Sequence, residues 1–218
     1  MTVTIRIGLL DSEEDVRFGR RLLLSSLPGT EVVFDSAGML SDFELIQESL
    51  IDVLVIDQKL NSGPGIDFYS SLRKLSGPKQ TPVAILTASF VQPALLLEAL
   101  GAGIFDVVAV EQGAEHLVET LTRANSHTNP YSLAEISQLL ASQPRNRQID
   151  LNFVNQVDQL PEKLASNLRR IKSLWRKADM AKLEHYDLNS LNDVVSRLPV
   201  ANATELVIAL NRSVLLDE

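Results

Sequence analysis

The segment that decides the fold spans residues 51 to 65 and reads IDVLVIDQKLNSGPG. Its first part, Ile51–Ile56, is a short apolar run rich in β-branched residues, which predicts a buried strand of a parallel sheet. Asp57 ends this run, and the turn-forming residues Asn61–Gly65 predict a loop soon after it. Because open α/β sheets carry their chemistry at the carboxyl ends of the strands, we expect Asp57 to be a functional carboxylate.

Strand-like and helix-like segments alternate through the first 125 residues. Apolar runs predict strands at Val3–Leu10, Glu31–Phe34, Ile51–Ile56, Pro82–Leu86 and Phe105–Val110. Helical spacing of apolar residues predicts helices at Glu13–Leu27, Leu40–Leu50, Ile66–Leu75, Pro93–Leu100 and Ala114–Ala124. The apolar positions of the first helix are Val16, Leu22, Leu23 and Leu24. This alternation predicts an α/β fold, in which helices cover both faces of a five-stranded, doubly wound parallel sheet.

Composition narrows the possible classes of function. The chain has 218 residues and no cysteine, which excludes disulfides, thiolate catalysis and cysteine-based zinc sites. No apolar stretch approaches the roughly 18 residues of a membrane span, so we expect no membrane association. The N-terminus runs straight into a predicted strand, which indicates that there is no signal peptide. These features predict a cytoplasmic protein.

Charge is distributed unevenly between the two halves of the chain. Residues 1–125 contain 9 Lys and Arg against 17 Asp and Glu, whereas residues 126–218 contain 11 of each. The acidic first half argues against broad nucleic-acid binding. The second half is basic only locally, at Arg169, Arg170, Lys172, Arg176 and Lys177. We interpret this cluster as the solvated face of an amphipathic helix.

The second half has helical spacing and no strand signal. Residues 126–150 are predicted to be a linker with one helix, which begins at the capping box Ser132–Glu135. From Leu151 onward apolar residues recur with helical spacing, and Pro161 should kink that helix or start a new one. Residues 151–218 are therefore predicted to form an all-α bundle of four or five helices.

Five features of the first half together resemble a response-regulator receiver domain. They are Asp11 after the first strand, Asp57 after the third, Gly65 in the loop that follows, Thr87-Ala88 after the fourth, and Ala99–Gly103 before the fifth. The resemblance implies a flavodoxin-like fold in residues 1–125. It also implies that Asp57 accepts a phosphoryl group from a histidine kinase, that Asp11 and Asp57 hold Mg2+, and that the Thr87 hydroxyl transmits the switch. Taken singly, Asp57 and Thr87 have plainer interpretations, as a strand-end acid that caps nearby amides and an ordinary loop hydroxyl.

The chain departs from the family pattern at several positions. Ser12 stands where the second, metal-contacting acid is expected. Val110 occupies the position of the lysine that pairs with the phosphoryl oxygens, with Glu111 directly after it, and Val107 replaces the aromatic residue of the fifth strand. Loss of the lysine removes a charge-assisted contact worth roughly 1.5–3 kcal/mol. These departures predict an atypical receiver, a pseudo-receiver in which phosphorylation of Asp57 and binding of Mg2+ are both impaired.

The second half faintly resembles a histidine-phosphotransfer bundle. The similarity rests on Leu160–Leu164, on Ala178-Asp179-Met180 and on the helix that follows. In this register Asn189 occupies the position of the phosphorylatable histidine, and only Leu191 agrees with the family motif. The resemblance therefore implies a degenerate bundle that has lost its phosphoryl-carrying residue.

Two other classes of output compete with this interpretation. A DNA-binding output would use Asp193–Val200 as the first helix and turn of a helix-turn-helix and Ala203–Asn211 as its second helix. That second helix is mostly apolar and the second half lacks net positive charge, so DNA binding ranks second. An enzymatic output would need a phosphate-binding glycine loop, a metal-ligand spacing or a nucleophile motif, and none is evident. We therefore expect a non-enzymatic signalling regulator that binds a histidine kinase, another regulator or a second copy of itself.

Overall fold

The chain folds into two compact units, which span Met1–Thr128 and Asn129–Glu218. The computed structural model describes residues 4–78, 80–142, 151–176 and 180–212. The boundary falls between Thr128 and Asn129, three residues after the predicted end of the first domain.

A parallel sheet forms the centre of the first unit. Its strands are β1 Ile5–Leu10, β2 Thr30–Ser36, β3 Val53–Asp57, β4 Val83–Ala88 and β5 Asp106–Ala109. They lie in the order β2-β1-β3-β4-β5, and every neighbouring pair is parallel. A separate two-stranded hairpin pairs Lys59–Leu60 with Gly63–Pro64 directly after β3. The five-stranded, doubly wound sheet predicted from the alternating segments is confirmed.

Helices cover both faces of this sheet. They are α1 Glu14–Ser26, α2 Asp42–Glu48, α3 Gly65–Ser76, α4 Pro93–Gly101 and α5 Gly113–Asn125, with a 3-10 turn at Val110–Gln112 before α5. Successive strand residues point to opposite faces, so Leu54 and Ile56 join one core cluster and Val53 and Val55 join the other. Helices α2, α3 and α4 pack on the first cluster, and α1 and α5 pack on the second.

Helix α1 turns a different face to the sheet from the one that its apolar residues suggest. Leu24 is fully buried, whereas Val16 and Leu22 are exposed, as is Phe18. The inward face at the start of the helix lies beside the polar carboxyl edge of the sheet, where Arg17 and Arg20 contact acidic and carbonyl groups. The helix predicted from apolar spacing is confirmed, although two of its four apolar positions, Val16 and Leu22, face solvent.

The described residues of the second unit form helices joined by turns and loops. Its helices are α6 Leu133–Ala141, α7 Leu151–Asp158, α8 Glu162–Arg176, α9 Met180–Glu184, α10 Asn192–Val195 and α11 Ala203–Arg212, with a 3-10 turn at Leu188–Leu191 before α10. Pro161 lies between α7 and α8, so it starts a new helix. Among the described helices, none is long and apolar enough to cross a membrane.

Helix α6 packs within the second unit instead of standing in a linker. The Ser132 hydroxyl and the Glu135 carboxylate cap its first turn reciprocally, as the capping box predicts. Leu133 and Ile136 are buried, and the helix contacts α9 and α11. Burial of these apolar side chains against α9 and α11 makes α6 part of the core of the second unit. The predicted linker, residues 126–150, therefore contains part of this folded unit, and residues 143–150 lie outside the described residues.

Candidate phosphoacceptor site

Three strands bring the predicted site residues together at the carboxyl edge of the sheet. Asp11 follows β1, Asp57 ends β3, and Thr87 lies in β4 in register with Asp57. Since β1, β3 and β4 are adjacent and parallel, the three side chains share one edge. The structure thus assembles the predicted phosphoacceptor, its acidic neighbour and the switch hydroxyl in one place.

Gly65 allows α3 to begin directly against the end of β3. Its backbone N–H donates to the Gln58 carbonyl at 2.9 Å. A Cβ atom at this position would lie 2.2 Å from the backbone carbonyl oxygen of Asp57 and 2.9 Å from the Ile56 side chain. Only glycine therefore fits this approach, which explains why a glycine in the loop belongs to the predicted site.

Both carboxylate oxygens of Asp57 accept hydrogen bonds from the protein. Oδ2 accepts from the Thr87 hydroxyl at 3.1 Å and from Arg20 Nη1 at 3.2 Å, and Oδ1 accepts from the Lys59 backbone N–H at 3.0 Å. The Asp57 side chain is 22% exposed. The carboxylate is thus fixed by donors from three different segments of the chain.

Asp11 is buried and shares the same arginine. Its Oδ2 pairs with Nη1 of Arg20, and its Oδ1 accepts the Glu13 backbone N–H at 2.9 Å. Burial raises the pKa of Asp11 above the ordinary value of 3.8, while the Glu13 N–H and the Arg20 charge act in the opposite direction. The Arg17 side chain donates to the Asp11 carbonyl at 2.6 Å. One guanidinium therefore stands between the two acids of the site.

Ser12 does not take over the role of the missing second acid. Its hydroxyl donates to the Lys59 carbonyl at 3.0 Å, in the loop directly after Asp57. Glu13 contacts Asp11 through its backbone N–H, and its side chain is exposed at the start of α1. The position of the second acid thus carries a neutral hydrogen-bond donor.

The position expected for the lysine carries an outward-facing apolar residue. Val110 starts the 3-10 turn after β5 and is 58% exposed, and Glu111 beside it is also exposed. Val107, which replaces the aromatic residue, is buried in the sheet core. The cation that contacts Asp11 and Asp57 is instead Arg20, which lies in α1 and not in the segment after β5.

The residues of this site do not fit Mg2+. The ion requires about six oxygen ligands in near-octahedral geometry. Here Asp11 and Asp57 direct an oxygen each at the guanidinium of Arg20, and the nearby Lys59 carbonyl accepts the Ser12 hydroxyl. Throughout the described part of the chain, no group of three or more His, Asp or Glu side chains is arranged to hold a metal. The predicted Mg2+ ligands are therefore occupied by internal donors.

Arg20 is the site residue that the sequence patterns missed. Its side chain is only 12% exposed. It lies four residues before the buried Leu24, so the two residues share one face of α1. That spacing is a signal in the sequence, but a charged residue in an amphipathic helix is ordinarily assigned to the solvated face.

The structure places the key positions of the two motifs predicted in the second unit without confirming either motif. Asn189, the position of the missing histidine, is exposed on the 3-10 turn before α10 instead of a regular helix. Ala178 and Asp179, which belong to the same resemblance, lie outside the described residues. In the predicted helix-turn-helix, the second helix corresponds to α11, whose residues Ala203–Ile208 are all buried.

The basic cluster of α8 is partly paired on the surface. Arg169 forms an exposed ion pair with Glu162, and the Arg170 guanidinium lies 5.8 Å from the centre of the Tyr186 ring. These contacts agree with a solvated helix face. The side chains of Lys172, Arg176 and Lys177 lie outside the described part of the structure.

Replacing Thr87 with valine is expected to lower the free energy of unfolding by about 1.5 kcal/mol, because Asp57 then loses a hydroxyl donor. Thr120→Val is the matched control. The Thr120 hydroxyl is fully buried and has no hydrogen-bond partner among the described residues, so its removal should raise stability by about 1 kcal/mol. Denaturant unfolding of both variants measures the difference, and equal losses for the two would contradict the role assigned to Thr87.

Comparisons with known proteins agree with the geometry of the first unit. The model of the response regulator receiver domain matches residues 7–122. A two-component response regulator of the LuxR family from Aurantimonas sp. SI85-9A1 is 26% identical, with a TM-score of 0.54, over 64% of this chain and 96% of that one. A DNA-binding response regulator of the LuxR family from Staphylococcus aureus is 21% identical, with a TM-score of 0.50, over 56% and 98%. None of the curated proteins compared with the chain gives a significant match.

One match extends beyond the first unit. The RcsB response regulator of Salmonella typhimurium, 18% identical, is covered completely and matches 90% of this chain, with a TM-score of 0.54. With its fold, its two strand-end acids and the match over residues 7–122, the chain belongs to the response-regulator receiver family of two-component signalling.

Proposed function

We propose that this response regulator signals through protein contacts, in a state that phosphorylation of Asp57 does not set. The observation that carries the proposal is the set of three donors that hold the Asp57 carboxylate: Arg20, Thr87 and the Lys59 N–H. A phosphoryl group entering at Oδ2 would have to displace the Arg20 guanidinium. That displacement would leave the buried Asp11 carboxylate without its cation beside a new negative charge.

The proposed partners are proteins of the same signalling class: a histidine kinase, another regulator or a second copy of this chain. A net charge of -8 in residues 1–125 favours protein partners over nucleic acid for the first unit. In the second unit, we propose a non-enzymatic interaction bundle, a degenerate relative of histidine-phosphotransfer domains with Asn189 at the histidine position. A cytoplasmic location is part of this proposal.

Incubation of the full chain with acetyl phosphate and Mg2+, followed by intact-mass measurement, tests the proposal. We expect no mass gain at concentrations that fully modify a receiver that has both acids and the lysine, which serves as the positive control. A gain of one phosphoryl group that Asp57→Ala abolishes would overturn the proposal. A gain that persists in Asp57→Ala would report modification elsewhere and leave the state of Asp57 as proposed.

DNA binding by the second unit is the alternative function. It is favoured by the description of the S. aureus relative as a DNA-binding regulator. Against it stands the burial of Leu206, Val207 and Leu210 in α11, because a recognition helix must present side chains to the bases. Fluorescence anisotropy with random duplex DNA at low and at physiological salt separates the two functions. Binding that weakens steeply with salt would favour the alternative, and we expect none.

A further inference from the structure

We propose that Arg20 is the built-in cation of the Asp11–Asp57 site and that it excludes divalent ions from it. This inference deepens the proposed function, since it concerns the regulation of the same site. A single atom, Nη1 of Arg20, lies within hydrogen-bond range of Oδ2 of both acids. The two carboxylates are thus arranged around one positive centre, which in this chain is covalently attached.

The position of α1 holds this guanidinium in place. Leu24, one turn further along the helix, is fully buried in the core, and Arg17, one turn earlier, donates to the Asp11 carbonyl. A guanidinium stays protonated at every physiological pH, so its charge does not depend on solution conditions. An internal cation anchored in this way cannot exchange with solvent as a bound metal ion does.

Ser12 completes the replacement at the neighbouring oxygen. Its hydroxyl donates to the carbonyl of Lys59, two residues after Asp57. The site therefore balances two acids with one arginine and pairs the nearby carbonyl with a neutral donor. A third carboxylate at position 12 would give this arrangement a surplus of negative charge. Serine at position 12 and arginine at position 20 are both consistent with a site that holds no metal ion.

Titration of the full chain with Mn2+, followed by electron paramagnetic resonance of the free ion, tests this inference. The variants are Arg20→Gln, the control Arg21→Gln, whose half-exposed arginine pairs with Asp35, and the double variant Arg20→Gln/Asp57→Asn. Wild type and Arg21→Gln should show no saturable site. Arg20→Gln should bind Mn2+ at least about a hundredfold more tightly than wild type, because a positive charge within a few ångströms has been removed. The double variant should lose that gain.

Two outcomes would overturn the inference. One is a folded Arg20→Gln protein that binds Mn2+ no better than wild type, and the other is saturable binding to wild type that Asp57→Asn removes. Should Arg20→Gln fail to fold, paramagnetic broadening of wild-type amides decides the question: selective broadening at Asp11, Asp57 and Lys59 would refute exclusion, and its absence up to millimolar Mn2+ supports it. The acetyl phosphate experiment detects a covalent modification of Asp57, whereas the Mn2+ titration detects binding of an ion. The proposed function and this inference can therefore be contradicted separately.

Discussion

Gly65→Ala should destabilise the first unit by about 3 kcal/mol, at the upper end of the cost of overpacking a well-filled site. The added methyl group would lie 2.2 Å from the Asp57 backbone carbonyl, and a backbone atom at the end of a central strand cannot rotate away as a side chain does. Either α3 or the end of β3 must shift. Denaturant unfolding followed by circular dichroism measures the loss, and hydrogen exchange of β3 amides assigns it to the first unit.

Gly19→Ala provides the matched control for this variant. Gly19 lies within α1, and a methyl group there would meet no atom within 4 Å. Alanine is the better helix former, so the control should gain about 0.5–1 kcal/mol. If Gly65→Ala proved as stable as wild type, α3 could not begin as close to the Asp57 carbonyl as described above.

Arg20→Gln should lower the free energy of unfolding of the first unit by about 3 kcal/mol, because it leaves two largely buried carboxylates without their shared cation. The comparison is Arg21→Gln. Arg21 also pairs with an acid, Asp35, but its side chain is 53% exposed, so its loss should cost less than about 1 kcal/mol. Denaturant unfolding of the two variants under the same conditions measures the contrast.

Salt and a second substitution sharpen this comparison. Raising ionic strength should weaken the small Arg21 effect more than the large Arg20 effect, since exposed pairs are screened more strongly. Asp57→Asn in the Arg20→Gln background should recover part of the lost stability, because one of the unpaired charges is then gone. Equal costs for the two arginines would mean that the bridge to Asp11 and Asp57 contributes no more than a surface pair.

The arrangement of strands and site acids follows from features visible in the sequence. Each strand of the sheet contains a short apolar run, and Asp11 and Asp57 follow two of these runs directly. Because parallel strands end at the same edge, the order of βα units suffices to bring these acids and Thr87 together. Ser12 and Val110 were also identifiable as departures from the family, since their chemistry differs from that of an acid and a lysine.

The orientation of α1 could not be predicted in the same way. Of the apolar residues named from the sequence, Val16 and Leu22 are exposed, whereas the structure buries Leu24 and draws Arg20 inward. Helical periodicity indicates which residues share a face of the helix. It does not indicate that the polar edge of the sheet will attract a charged residue such as Arg20. That information lies in the pairing of Arg20 with acids at sequence separations of 9 and 37 residues.

The helical structure of the second unit could be predicted from its sequence, but its function could not. The apolar α11 was expected to be a core helix, and Leu206 and Val207 are fully buried. The finer register of the phosphotransfer resemblance depends on a helical context for Asn189, and this residue lies on a 3-10 turn. Bundle periodicity alone does not distinguish a relay module from any other packed set of helices.

The charge balance around Arg20 means that neither its loss nor the gain of an acid at position 12 is expected to be neutral for stability. Loss of Arg20 alone leaves Asp11 and Asp57 repelling each other until an ion is available. Gain of an acid at Ser12 alone breaks the bond to the Lys59 carbonyl and adds a third negative charge beside one arginine. Because both changes shift the site toward uncompensated negative charge, their costs should combine until a divalent ion binds, and the two positions should therefore show non-additive effects on stability.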